Sequence, residues 1–203
     1  MIDAFRTLAS PATAKLARQR SRFLAFVEPV ASVGQVRTRL ADLRRTYHDA
    51  SHCASAYRLT GDPTPLEDTD DDGEPAGSAG TPILLQLKGA GLENVLAVVV
   101  RYFGGVKLGV GGLARAYADA VAAALAGAQV AEQRVAVHLL VHFPLDVNPG
   151  VMGAIHHHQA EILDIRYDTE GHVTVGVAPS RAEAFRRSVT ERTGARARLE
   201  VRA

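Results

Sequence analysis

The run Val95–Val100 is continuous, apolar and largely β-branched. That pattern marks a strand buried on both faces rather than one with a wet side. Directly after it come Arg101, Tyr102 and Phe103, then five glycines within the nine residues Gly104–Gly112, then an alanine-rich stretch with high helix propensity over about Leu113–Ala126. A buried strand, a glycine-rich turn and a helix form one unit. Every other reading of the chain has to fit around it.

Upstream, Thr13–Ala17 and Arg22–Val27 read as a hairpin or two sequential strands around polar Arg18–Ser21. Ser32 is placed to cap a helix running to about Tyr47, with Val33, Val36, Leu40, Leu43 and Tyr47 at helical spacing. A strand at His52–Leu59 follows, then Thr60–Gly80, which reads as one long loop. Thr81-Pro82 is expected to open a short helix ending near Lys88-Gly89. The last third predicts a strand at Val135–Phe143, a helix at about Pro149–Gln159 and strands at Glu161–Tyr167 and His172–Val177. A helix capped by Ser180 and running to about Thr193 comes next, then a strand at Arg196–Val201. This β-α-β-β-α-β order is the split βαβ pattern of a ferredoxin-like sandwich. The fold class is therefore α+β in two domains, residues 1–131 and 135–203.

Charge is unevenly spread. The formal net charge is +1, but six acidic residues (Glu67, Asp68, Asp70, Asp71, Asp72, Glu74) crowd into eight positions, and the rest of the chain sets 23 basic against 16 acidic residues. A moderately basic body with one acidic loop is compatible with phosphate or RNA partners. No apolar run is long enough to span a bilayer, so no membrane partner is expected. One cysteine excludes an internal disulfide and suits a reducing cytoplasm. The absence of tryptophan argues against a base-stacking platform.

Glycine in Gly104–Gly112 lets main-chain amides approach a ligand and adopt positive φ, and the following helix start adds a positive dipole. With Arg101, Lys107 and Arg115 nearby, the segment reads as an anion cradle. Known phosphate loops fit it poorly. Gly104 and Gly109 have P-loop spacing, but Val110-Gly111 stands where Lys-Ser/Thr is needed, and Gly109–Ala114 resembles a dinucleotide fingerprint without its βαβαβ surroundings. The acidic loop matches EF-hand positions 1, 3, 5 and 6 at Asp68, Asp70, Asp72 and Gly73, yet position 12 is Ala79, so calcium is not supported. No cofactor is expected, and a hydrated Mg2+ at that loop is the one metal reading left open. His156–His158 diverge by about 100° per residue on a helix, and His138 and His142 lie about 13 Å apart along a strand. His52 and Cys53 are neighbours on a strand and face opposite ways, so they cannot act as a nucleophile with its base.

Asp71-Asp72-Gly73-Glu74-Pro75-Ala76-Gly77-Ser78-Ala79-Gly80, followed by Val98–Gly105, Leu108-Gly109 and Gly111-Gly112-Leu113, resembles the IMPACT/YigZ family in two long motifs with the right order and gap. The likeness extends to Ser21-Arg22-Phe23 and the C-terminal part, as in the bacterial YigZ branch. The resemblance implies an N-terminal domain of the ribosomal protein S5 domain 2-like fold and a C-terminal domain like the ferredoxin-like last domain of elongation factor G. It also implies a role linked to translation regulation, and nucleic-acid or ribosome binding. One departure stands out: the family pattern His-x-Cys-x-Ala-aromatic reads here His52-Cys53-Ala54-Ser55-Ala56-Tyr57, with the thiol one residue early.

Three readings stay open at this level. The favoured one is a non-enzymatic RNA- or ribosome-associated module; the others are an enzyme acting on a small phosphorylated ligand or nucleotide, and a protein-interaction adaptor. The residues expected to bind ligand or nucleic acid are Arg22, His52, Asp72, Gly73, Glu74, Arg101, Tyr102, Gly104, Gly105, Lys107, Gly109, Gly111 and Gly112. No catalytic residue is assigned.

Overall fold

The computed structural model describes residues 2–61 and 63–202 and divides them into two units. One runs from Phe5 to Gln133; the other takes Arg134 onward together with the chain's first residues as far as Ala4.

In the first unit, β2 (Ala12–Arg18), β3 (Ser21–Pro29), β6 (Val95–Tyr102), β4 (His52–Leu59) and β5 (Leu66–Asp70) form a sheet in the order β2-β3-β6-β4-β5. The pairs β2–β3, β3–β6, β4–β6 and β4–β5 are all antiparallel. The central strand β6 is buried along Val95–Arg101, as its unbroken apolar run requires. Its odd residues Val95, Ala97 and Val99 pack under α2 (Gly80–Gly89) and α3 (Val110–Ala126). Its even residues Leu96, Val98 and Val100 pack with Val36 and Leu43 of α1 (Val33–Thr46). Small residues on the first of these faces, Ala25, Ala54, Ala56 and Ala97, meet Ala116, Ala120 and Ala124 of α3. Small side chains on both partners let a helix lie close to the sheet. Two short strands, β1 (Ala4–Leu8) and β7 (Val130–Arg134), make a separate two-stranded sheet.

The second unit orders β8 (Val137–Phe143), α4 (Asn148–His157), β9 (Glu161–Tyr167), β10 (Gly171–Val177), α5 (Ala182–Thr193) and β11 (Arg198–Arg202) along the chain. Its strands pair antiparallel in the sheet order β11-β8-β10-β9. Leu139, Val141, Phe143, Val173 and Val175 meet Val151, Ile155, Phe185 and Val189 of the helices in one core.

Four local expectations differ from the structure. The segment Thr60–Gly80 is not one loop, because Leu66–Asp70 pairs with β4 as an edge strand. Thr81 does not cap α2; the helix begins at Gly80, and the carboxylate of Asp71 accepts the amides of Ala79 and Gly80 in its place. Helix α3 begins at Val110, three residues early, because Gly109 turns the chain at φ +69°. Ser180 sits in a single 3-10 turn and bonds Asp3, leaving α5 without a side-chain cap. The register of β8 with β10 also joins His142 to His172, their Nδ1 atoms 2.8 Å apart, whereas His138 lies opposite Gly176.

Candidate functional site

Cross-strand register sets the site. Arg101 lies opposite Phe23 on β3 and opposite His52 on β4, so these three side chains form a row at one end of the central strands. All three point to the face covered by α2 and α3, because their parity matches Val99, Ala25 and Ala54. Here α3 starts, and the row opens into a cavity of about 400 Å³ lined by His52, Glu74, Pro75, Arg101, Phe103, Lys107, Leu108, Gly109, Val110 and Leu113. The turn above it is open to solvent from Gly105 to Lys107 and from Gly109 to Gly111.

Its floor is a buried ionic knot. Arg101 Nη1 donates to Glu74 Oε1 at 2.5 Å, and the Tyr117 hydroxyl donates to the same oxygen at 2.7 Å. The side chains of Arg101 and Glu74 are 5% and 3% exposed. Burial, then the hydrogen bond to Glu74, pushes the Tyr117 phenol well above its ordinary pKa, so it stays a donor. The Arg101 guanidinium lies 5.6 Å from the Phe23 ring centre and 5.5 Å from that of Phe103, a cation–π arrangement. Its Nε is buried and has no acceptor among the described residues. At the rim Gly109 precedes α3 and no side chain caps the helix, which leaves its first-turn amides free to face an anion.

The acidic segment builds one wall. Asp71 accepts the amides of Gly77, Ala79 and Gly80. Burial raises its carboxyl, but these three hydrogen bonds outweigh that and hold it below the usual carboxylate value. Asp72 takes a left-handed backbone, φ +46°, and Gly73 follows at φ +84°. The Asp72 carboxylate receives the Cys53 amide at 2.6 Å and Arg44 at 2.9 Å, while its main-chain oxygen meets His52 Nδ1 at 2.8 Å. Asp70 also pairs with Arg44, and Glu67 with Lys88 and Arg58. Among the described residues no three His, Cys, Asp or Glu side chains converge as metal ligands would.

Of the residues singled out in the sequence, His52, Glu74, Arg101, Lys107 and Gly109 share the cavity wall. Gly111 and Gly112 occupy the first turn of α3, and Gly105 lies in the open turn at φ +84°. Gly104 is packed against the Arg20 main chain, where a Cβ would stand 2.1 Å from its carbonyl carbon. Gly73 backs the His52 ring. Asp72 reaches the cavity only through His52. Arg22 and Tyr102 lie opposite each other on the α1 side of the sheet, with the Arg22 guanidinium 4.7 Å from the Tyr102 ring and the Tyr102 hydroxyl on Asp49. Alternation along β6 is the reason: Arg101 and Tyr102 cannot face the same way. Cys53 points with Val100 into the α1 core, where burial pushes its thiol up to about 11. Phe103 and Leu113, which stand in the motifs but not among the residues expected to bind, and Tyr117 and Val110, which no motif marks, join the site. The one signal for Tyr117 is a hydroxyl in an otherwise apolar helix face, which has to find a partner.

The family model described as "Impact N-terminal domain" matches residues 19–125, the part that carries this cavity. A curated "IMPACT family member" of Haemophilus influenzae is 33% identical over 190 residues, 90% of this chain and 89% of its own length. "IMPACT family member YvyE" of Bacillus subtilis is 28% identical over 202 residues, 98% and 92% of the two chains. The crystal structure of a hypothetical protein is similar at a TM-score of 0.70 and 26% identity, covering 100% of this chain and 99% of that one. The chain belongs to the IMPACT family, and its likeness to the bacterial relatives runs through both units.

Proposed function

We propose that this protein is an RNA- or ribosome-associated module linked to translation, acting by binding rather than by turnover, and that its cleft receives a backbone phosphate. In this reading the Phe5–Gln133 unit is S5 domain 2-like, and the second unit is ferredoxin-like, akin to the last domain of elongation factor G. The observation that carries the reading is the convergence of a solvent-open, uncapped helix start, Lys107 and the Arg101 side chain on one cavity. Donors gathered around a pocket with a cation at its rim suit an anion. The basic excess outside the acidic loop supports a polyanionic partner.

Fluorescence anisotropy with a labelled single-stranded RNA across a salt series tests this. The logarithm of affinity should fall with the logarithm of salt by about 0.7 per phosphate contacted. No binding at low salt sinks the proposal. A second reading, a small phosphorylated ligand, is favoured by the cavity's size, since about 400 Å³ is within the range of small-molecule sites. Thermal shift against a panel of nucleotides distinguishes it, because a ligand at 100 times its Kd adds about 2.7 kcal/mol.

A further inference from the structure

Among the side chains lining the cleft, His52 is the one whose ring nitrogen can accept a hydrogen bond without carrying a negative charge. The ring's Nδ1 lies 2.8 Å from the Asp72 main-chain oxygen. A carbonyl oxygen only accepts, so Nδ1 carries the hydrogen and, in the neutral ring, Nε2 presents a lone pair. The carbonyl that makes this assignment is itself held firmly. Asp72 is locked by its left-handed backbone and by the grip of its carboxylate on the Cys53 amide and Arg44, and Gly73 packs beside the ring. Nε2 is 3.8 Å from Glu74 Oε1, too far for a hydrogen bond, and that oxygen is already taken by Arg101 and Tyr117. The imidazole side chain is 25% exposed and lines the same cavity as Lys107 and the start of α3.

A ligand satisfying both halves of this wall carries an anion and, beside it, a hydroxyl that can donate. We propose that the cleft reads ribose: a phosphate lies against the α3 start and Lys107, and the neighbouring 2′-hydroxyl donates to His52 Nε2. The proposal rests on the phosphate-binding reading above and adds a sugar preference to it, since the 2′-hydroxyl is what separates RNA from DNA at a single residue. Free ribonucleoside 3′-phosphates share this vicinal hydroxyl and phosphate, so the test includes one.

Affinities are measured for single strands of one sequence as RNA, DNA and 2′-O-methyl RNA, with wild-type protein and His52→Ala. One hydrogen bond to a neutral acceptor amounts to roughly a three- to tenfold preference. Wild type should bind RNA over DNA by that factor and treat 2′-O-methyl RNA like DNA, because methylation removes the donor. His52→Ala should lose the preference and bind RNA and DNA with equal affinity. The 2′-O-methyl comparison uses wild type alone and stands even if the variant folds poorly. Equal wild-type affinity for RNA and DNA, both falling with salt, overturns the ribose inference and leaves the phosphate reading in place. Absence of binding to either strand overturns the phosphate reading itself. A full RNA preference retained by His52→Ala also overturns the inference. Competition by adenosine 3′-monophosphate as strong as by unlabelled RNA overturns RNA as the ligand, whereas a need for far higher concentrations supports it.

Discussion

Replacing Glu74 with alanine should be among the most damaging single changes in the Phe5–Gln133 unit. Glu74 Oε1 is the shared acceptor for Arg101 Nη1 at 2.5 Å and the Tyr117 hydroxyl at 2.7 Å. Both charged side chains are at least 95% buried, and Arg101 Nε already lacks a partner. Removing the carboxylate leaves a guanidinium charge in a low-dielectric pocket with no counterion, a situation that costs about 3–5 kcal/mol. The lost Tyr117 bond is part of that figure, not an addition to it. Tyr117→Phe alone keeps the ion pair and should cost about 1 kcal/mol. Arg101→Met combined with Glu74→Ala removes both charges, and the pair should cost less than the sum of the singles by roughly 2 kcal/mol. Urea unfolding supplies the global figure, and hydrogen exchange at the β6 amides assigns the loss to this unit. A Glu74→Ala cost below about 1 kcal/mol, or additivity within about 0.5 kcal/mol, would refute the claim that this knot is a coupled buried network.

Asp71→Asn removes a carboxylate whose folded pKa lies below its ordinary 3.8. The stability it contributes is complete above about pH 4 and is lost as pH falls toward the depressed folded value, so the gap between wild type and variant should close between pH 4 and acid in urea melts. Cys53, buried and with its thiol pushed up to about 11, should resist alkylation at neutral pH in the native protein and react at once in urea, read by mass spectrometry. Gly104→Ala should cost about 3 kcal/mol or more in thermal melts, because its Cβ would run into the Arg20 main chain at 2.1 Å. Gly111→Ala, in the first turn of α3 with only the Arg115 guanidinium nearby at 3.6 Å, should be neutral or stabilise by up to about 1 kcal/mol.

How much was legible follows from where each signal sits. The run Val95–Val100 announced β6 because an unbroken apolar strand has one physical solution, and Ser32 announced α1 because the hydroxyl caps locally, on the Gln35 amide. Edge strand β5 was illegible. Its sequence LEDTD has no apolar alternation, and its place is set by β4 and by the pairing of Glu67 with Arg58 and Lys88. β1 and β7 escape notice because their pairing joins segments more than 120 residues apart, with Ala9 donating to Gln129 as the nearest outside bond. The cap of α2 was misassigned to Thr81 because the carboxylate that serves it comes from Asp71, nine residues before Gly80. In the site, parity alone separates Arg101 from Tyr102 and His52 from Cys53. Asp72 and Glu74 stand together among the residues expected to bind, and only tertiary packing shows Glu74 to be the buried one.

That burial decides which cation does what. Arg101 and Glu74 cancel within the floor of the cleft, so the pair adds little net charge at the mouth. Lys107 is exposed and has no ion-pair partner among the described residues, so the ionic part of the attraction falls to it and to the start of α3. Lys107→Gln should therefore weaken RNA binding and lower the salt slope by about 0.7, one phosphate contact, with stability unchanged within about 0.5 kcal/mol. Arg101→Met combined with Glu74→Ala should do the reverse: it removes a self-neutralised pair and the guanidinium's contacts with Phe23 and Phe103, and destabilises the unit while leaving the salt slope alone. If that double variant flattens the slope as Lys107→Gln does, the guanidinium's charge is available to the ligand, and Glu74 is not the counterion that neutralises it.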